Sequence, residues 1–222
     1  MQIQHNLNNI KTQLPAHVTL VAVSKTKPVV DLMEAYNAGQ RIFGENKIQE
    51  MTEKWEQMPK DIEWHMIGHV QSNKVKFMAG YVSLIHGVDS LKLLQEINKQ
   101  AKKHNRVIDC LLQIHIAEEE TKFGLNEEEL NHILTSDDFK SLENIRIVGL
   151  MGMATFTENQ NQIEKEFNHL KSIFDKLNKL SIINYQLSIL SIGMSGDYQL
   201  AISCGSTMVR IGSSIFGTRN YQ

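Results

Sequence analysis

The chain has 222 residues, with Lys plus Arg 23 and Asp plus Glu 25, a formal net charge of −2. That near balance supplies no general pull toward nucleic acid or anionic lipid. A composition of 41% hydrophobic and 22% charged residues excludes a disordered chain. Cys110 and Cys204 lie far apart and outside any Cys-x-x-Cys pattern, which excludes a disulfide scaffold or a thiolate metal site. The first residues lack the basic start and apolar run of a secretory signal. No apolar stretch approaches the roughly 18 residues that span a bilayer. The expectation is a reduced, soluble, cytoplasmic protein with no nucleic-acid or membrane partner.

In chain order, an amphipathic helix is expected first, before an apolar, β-branched run at residues 18–23. Pro28 opens a helix whose stripe is Val29, Leu32, Met33 and Tyr36 and which Gly39 stops. A second strand is expected at 41–44, a helix over 46–57, a third strand at 62–68 and a helix over 71–79. The fourth strand, 81–88, runs into Asp89 or Ser90, either of which caps a helix with the stripe Leu91, Leu94, Ile97 and Ala101. The fifth strand, 107–116, precedes Asn126 and Glu129, spaced as a capping box ahead of Leu130, Ile133 and Leu134. The sixth, 145–151, leads to a long helix marked by Ile163, Phe167, Leu170, Phe174 and Leu177. Strands at 185–192 and 208–212 complete the set, with a short helix over 196–203 between them.

Strand–helix alternation implies parallel pairing, because parallel neighbours need a crossover. Eight such units in about 200 residues fit one (β/α)8 TIM-type barrel with an extra N-terminal helix, a single α/β domain over residues 1–222. An open doubly wound sheet is the alternative, weakened because no Gly-x-Gly-x-x-Gly follows the first strand.

Reactive groups of such a barrel sit where the strands end. After the first strand comes Ser24-Lys25-Thr26-Lys27-Pro28, and after the second Gly44-Glu45-Asn46-Lys47; His65 lies within the third. Lys25 is either a desolvated amine poised as a carbonyl nucleophile or a solvated loop lysine. The seventh strand runs into Ser191-Ile192-Gly193-Met194-Ser195-Gly196 and the eighth into Gly212-Ser213-Ser214. Glycines beside hydroxyl residues ahead of short helices suit an anion, and barrel enzymes often bind phosphate there. Arg210, inside the last strand, pairs either with a barrel carboxylate or with a ligand. His65 and His69 have the spacing of a helical zinc pair, but they fall on a strand end with no third ligand, so no metal site is expected.

Taken together, the motifs resemble the pyridoxal phosphate homeostasis proteins, the YggS/PROSC-like family. The matching pieces begin with Ala22-Val23-Ser24-Lys25-Thr26-Lys27-Pro28, Phe43-Gly44-Glu45-Asn46 and Trp64-His65-Met66-Ile67-Gly68, then Gln71-Ser72-Asn73-Lys74. They continue through Lys122-Phe123-Gly124, Gly149-Leu150-Met151 and Leu190-Ser191-Ile192-Gly193-Met194-Ser195, and end with 205–212 and Ile215-Phe216-Gly217. The departures, Val70, Phe123 and Met153, fall outside the proposed cofactor contacts. The resemblance implies a barrel similar to the N-terminal domain of alanine racemase. It also implies pyridoxal 5'-phosphate bound as a Schiff base to Lys25, with Ser195, Gly212 and Ser213 on the phosphate and Arg210 at the ring nitrogen. Asn46 and His65 would lie near the cofactor.

The function implied is buffering or delivery of intracellular pyridoxal phosphate, with indirect effects on amino-acid and keto-acid pools. A non-catalytic carrier, with no catalytic residue assigned, is favoured over a racemase acting on a small amino acid. A racemase needs a second base, which in alanine racemase comes from an additional domain and a neighbouring subunit, and the sequence stops soon after the barrel motifs. The expected partners are the cofactor and apo forms of enzymes that use it; the chain itself is expected to be a monomer or weak homodimer.

Overall fold

The structure, a computed structural model, describes residues 2–119, 123–180 and 186–218. Helix α1 (Gln2–Gln13) precedes strand β1 (Thr19–Val23); α2 (Val29–Asn37), β2 (Ile42–Glu45), α3 (Ile48–Gln57) and β3 (Glu63–Met66) follow. A 3-10 turn (Ser72–Phe77) leads to β4 (Leu84–Val88), α4 (Leu91–Lys103) and β5 (Ile108–Gln113). Then come α5 (Glu127–Thr135), α6 (Asp137–Lys140), β6 (Ile145–Met151) and α7 (Gln160–Leu180). The chain continues with β7 (Ile189–Ser191), α8 (Tyr198–Ser203), β8 (Met208–Ile211) and α9 (Ser213–Phe216). The eight strands pair in sequence order, all parallel, and β8 pairs back onto β1, so the sheet closes as a TIM-type barrel and not as an open sheet. Among the described residues no helix is long and apolar enough to cross a membrane.

The local signals act where the sequence puts them. Ser90 Oγ accepts from Leu93 N–H at the start of α4, and Asn126 with Glu129 forms a reciprocal capping box at the start of α5. In place of the helix expected over 71–79, Ser72–Phe77 forms a 3-10 turn. The buried apolar residues of this stretch, Val75, Met78 and Ala79, crowd into one turn, and Lys74 N–H reaches back only three residues to Gln71 O. The fifth strand stops at Gln113, short of 116. Ile114 and Ile116 are buried all the same, so their apolar character extends the strand pattern beyond the strand itself. Tyr185, the first residue of the expected seventh strand, lies outside the described residues, as does Lys122.

Helix α9 is only four residues long and cannot cover the β8–β1 seam. Helix α1 takes its place, burying Leu7 and Ile10 against the barrel, with Asn6 Nδ2 donating to Ile215 O at 3.0 Å and Tyr198 Oη donating to Gln13 at 2.7 Å.

Inside the barrel, alternation along each strand sorts the side chains into layers. Val21, Leu84, Leu111, Met151 and Met208 form an apolar layer. Two residues further along β4, β5 and β8 stand His86, Gln113 and Arg210, which with His65 of β3 and Ser191 of β7 make a polar layer beneath the mouth. Gly149 in β6 is required by space: a Cβ there would lie 1.8 Å from Ile189 O of β7. Gly149→Ala should therefore force the β6–β7 pair apart and cost about 3 kcal/mol of stability, measured as a lower urea midpoint; an unchanged midpoint would contradict this packing.

Candidate functional site

A cavity of about 580 Å³ opens at the carboxyl ends of the strands. Of the residues singled out in the sequence, Lys25, Asn46, Ser195, Arg210, Gly212 and Ser213 all line it. Lys25 is half-buried, two residues beyond Val23, and both stand on the cavity wall. Its neighbours in sequence are held tightly. Ser24 Oγ donates to Glu45 Oε1 at 2.7 Å, and Thr26 adopts a left-handed φ of 64°, uncommon for a residue with a Cβ. Asn46 begins the loop after β2, where Gly68 packs so closely that a Cβ would lie 2.4 Å from Asn46 O.

The loops after β7 and β8 meet at the opposite side of the mouth. Gly193 turns the chain at φ +97°, and a Cβ there would strike Ala201 Cβ at 2.6 Å, so only glycine passes. This turn places Ser195 against β8, where Gly212 N–H donates to its Oγ at 3.2 Å. Ser213 follows at the start of α9, whose leading N–H groups have no carbonyl of the helix to reach. Ser206 and Thr207 are not on the wall. Ser206 Oγ donates to Ile192 O at 2.8 Å, and Thr207 Oγ1 accepts from Leu190 N–H at 2.9 Å, so both shape the turn entering β8 from below.

Arg210 is fully buried. Its Nη1 donates to Ser191 O and Ser191 Oγ, both at 2.7 Å, and its Nη2 donates to Gly152 O at 3.1 Å. Among the described residues no carboxylate stands at ion-pair distance from it, which answers the choice left open by the sequence: Arg210 is not part of a barrel salt bridge. Burial pulls the guanidinium down to about 10, with Asp197 opposing that pull, so it stays charged at neutral pH. Among the described lining residues the cationic side chains are Lys25, Lys27 and Arg210, against a single carboxylate, Asp197. The cavity is electropositive and suits an anion.

His65 lies behind this wall and not on it. Ser191 Oγ accepts from Arg210 and also pairs with His86 Nδ1, 3.1 Å away; His86 Nε2 pairs in turn with His65 Nδ1 at 3.1 Å. His65 thus reaches the cavity through His86, Ser191 and Arg210. His69, its apparent partner in sequence, sits on the rim, stacked on Phe123 at 4.2 Å and 3.4 Å from Asp89. The sequence reading missed His86, Gln113, Glu45 and Lys54. The inward register of His86 and Gln113, two residues past Leu84 and Leu111, was the signal available for the first pair.

With this geometry in view, similarity to known proteins is extensive. The alanine racemase N-terminal domain family matches residues 1–220. The pyridoxal phosphate homeostasis protein of Haemophilus influenzae is 38% identical over 234 residues, covering 100% of this chain and 98% of that protein. That of Aquifex aeolicus is 40% identical over 203 residues, covering 91% and 87%. The structure of PipY from Synechococcus elongatus with PLP bound superposes with a TM-score of 0.89 at 33% identity, covering 97% of this chain and 100% of that one. An alanine racemase from Clostridium difficile shares the fold at TM-score 0.81 and 19% identity, matching 60% of its own chain.

The buried histidines make stability depend on pH. Burial takes His65 down to about 3 and, with the neighbouring His65 and Arg210 opposing a further charge, takes His86 well below its ordinary value. The unfolded chain gains these protons near pH 6.5 and the folded chain does not, so the stabilisation is complete above pH 6.5 and declines as pH falls toward 3. For His65 alone the loss at pH 5 is about 2 kcal/mol. Urea midpoints should drop between pH 7 and pH 5, and drop less in His65→Gln; equal slopes for the two proteins would contradict a neutral buried His65.

Proposed function

The chain belongs to the alanine racemase N-terminal domain family and, within it, to the pyridoxal phosphate homeostasis proteins, and on that footing we propose that it binds pyridoxal 5'-phosphate and buffers or delivers it in the cytoplasm. The observation that carries this reading is the convergence of Lys25, from β1, with Arg210 and the Ser195–Gly212–Ser213 corner, from β7 and β8, on one electropositive cavity. PipY, one third identical to this chain along nearly its whole length, has a structure with the same cofactor bound.

The residues present fit the group. The cofactor supplies an aldehyde that links reversibly to an amine, and Lys25 is the lysine on the wall nearest the barrel axis by the alternation of β1. Lys27 turns away instead, its Nζ donating to Phe216 O at 2.9 Å and Thr218 O at 3.2 Å. Ser195, Gly212 and Ser213 would receive the phosphate with hydroxyl and backbone N–H donors. Arg210 would face the ring nitrogen, and Asn46 would flank the ring from the β2 loop. His65 supports the site from behind, as the last member of the chain through His86 and Ser191.

Arg210 also bears on the choice between carrier and racemase. A permanently charged guanidinium keeps a second proton off a basic nitrogen beside it, and an unprotonated ring is the poorer electron sink. The chain's own chemistry therefore favours holding the cofactor over turning substrates over. Apo forms of enzymes that require the cofactor are its natural recipients.

Protein purified and loaded with pyridoxal 5'-phosphate should absorb in the visible and, after borohydride reduction, carry the label on the peptide containing Lys25. Lys25→Ala should lose both signals, and labelling elsewhere would refute the assignment. Assayed against L- and D-amino acids, the loaded protein should show no Lys25-dependent turnover near the roughly 1 s⁻¹ of ordinary enzymes; turnover at that rate would favour the racemase.

A further inference from the structure

The two peptide groups that flank Lys25 are each gripped by a charged side chain from α3. Lys54 Nζ donates to Ser24 O at 2.8 Å, and Glu50 Oε1 accepts from Thr26 N–H at 2.6 Å. Glu50 and Lys54 stand one turn apart and are themselves paired at 2.7 Å. Lys54 also donates to Glu45 Oε1 at 2.7 Å, the same oxygen that accepts from Ser24 Oγ. Lys54 and Glu45 are both buried, and Glu45 Oε2 has no hydrogen-bond partner.

As a device for stability this arrangement is poor. Burying an ion pair recovers little beyond its desolvation cost, and an orphaned carboxylate oxygen adds to that cost. The left-handed Thr26 adds strain of its own. What the arrangement does achieve is a fixed direction for the one residue between the two grips. A lysine side chain has four rotatable bonds, so its reach toward a partner depends on where its backbone points.

We propose that Lys54 and Glu50 are positioning residues for Lys25, clamping the carbonyl before it and the amide after it so that its side chain enters the cavity in the orientation needed for covalent attachment. This rests on the reading of Lys25 as the attachment point. Neither residue touches the cavity, and neither holds the phosphate or the ring, so the clamp governs attachment and not affinity for the rest of the cofactor.

The test separates the two. Pyridoxine 5'-phosphate, which has ring and phosphate but no aldehyde, reports noncovalent binding; pyridoxal 5'-phosphate with borohydride trapping reports attachment at Lys25. Lys54→Met should bind pyridoxine 5'-phosphate like the wild type but attach pyridoxal 5'-phosphate roughly tenfold more slowly or worse, with faster exchange of the Thr26 amide. Glu50→Gln, which retains an acceptor for Thr26 but loses the ion pair, should fall between, and decides the matter alone if Lys54→Met does not fold. Wild-type attachment rates in the folded variants would overturn the clamp, as would a parallel loss of both kinds of binding, which marks a structural role. A wild-type protein that binds pyridoxine 5'-phosphate but never labels at Lys25 would overturn the underlying reading.

Discussion

Burying the Arg210 guanidinium inside a closed parallel sheet strips away its water and leaves only what neighbouring strands can offer. The strands answer with neutral oxygens: Ser191 from β7 gives a carbonyl and a hydroxyl, and the chain just past β6 gives Gly152 O. Through the Ser191 hydroxyl the arginine joins His86, and through His86 it joins His65, so one hydrogen-bonded chain links the buried charge across β8, β7, β4 and β3. The apolar layer below, from Val21 to Met208, keeps this polar layer from meeting solvent at the other end. The mouth above inherits a positive floor.

Around that floor the rim is built by two different strategies. On the β7–β8 side the backbone does the work: a left-handed glycine and a serine hydroxyl bonded to the next loop make a corner of small residues. On the β1 side charged side chains do it, since Lys54 and Glu50 hold peptide groups that no strand neighbour reaches. A small, amide-rich corner suits an anion of fixed shape, whereas a clamped backbone suits a single long side chain that has to be aimed. On the function proposed above, the two halves of the mouth would take the two ends of one phosphate-bearing aldehyde.

Much of this was legible in the sequence because the barrel translates sequence into place simply. Each strand end delivers its residues to the same rim, so position draws notice to Lys25, Arg210 and the Ser195 and Gly212-Ser213 loops, the family resemblance chooses their readings and adds Asn46, and all six share one cavity. His65 shows where that logic thins: it lies one layer deeper, and strand position does not distinguish the wall from what stands behind it. Glu45 and Lys54 were illegible for another reason. A glutamate at the end of β2 and a lysine on an amphipathic helix both look like surface charge, and only the packing of α3 over β2 buries them together. The 3-10 turn at Ser72–Phe77 and the early end of β5 reflect loops that bury apolar side chains without regular structure, which periodicity reads as more helix or strand.

Helix α1 filling the place that α9 is too short to cover has a consequence for how the molecule is made. Helix α1, which carries Leu7 and Ile10, packs beside α9 some two hundred residues later in the chain, so that contact waits until β8 and α9 have been made. At roughly 5–20 residues per second this interval is on the order of 10–40 s. Throughout it, the free edge of β1 and the apolar stripe of α1 wait in a nascent half-barrel, so ring closure, and the cavity it creates, comes only after the eighth strand.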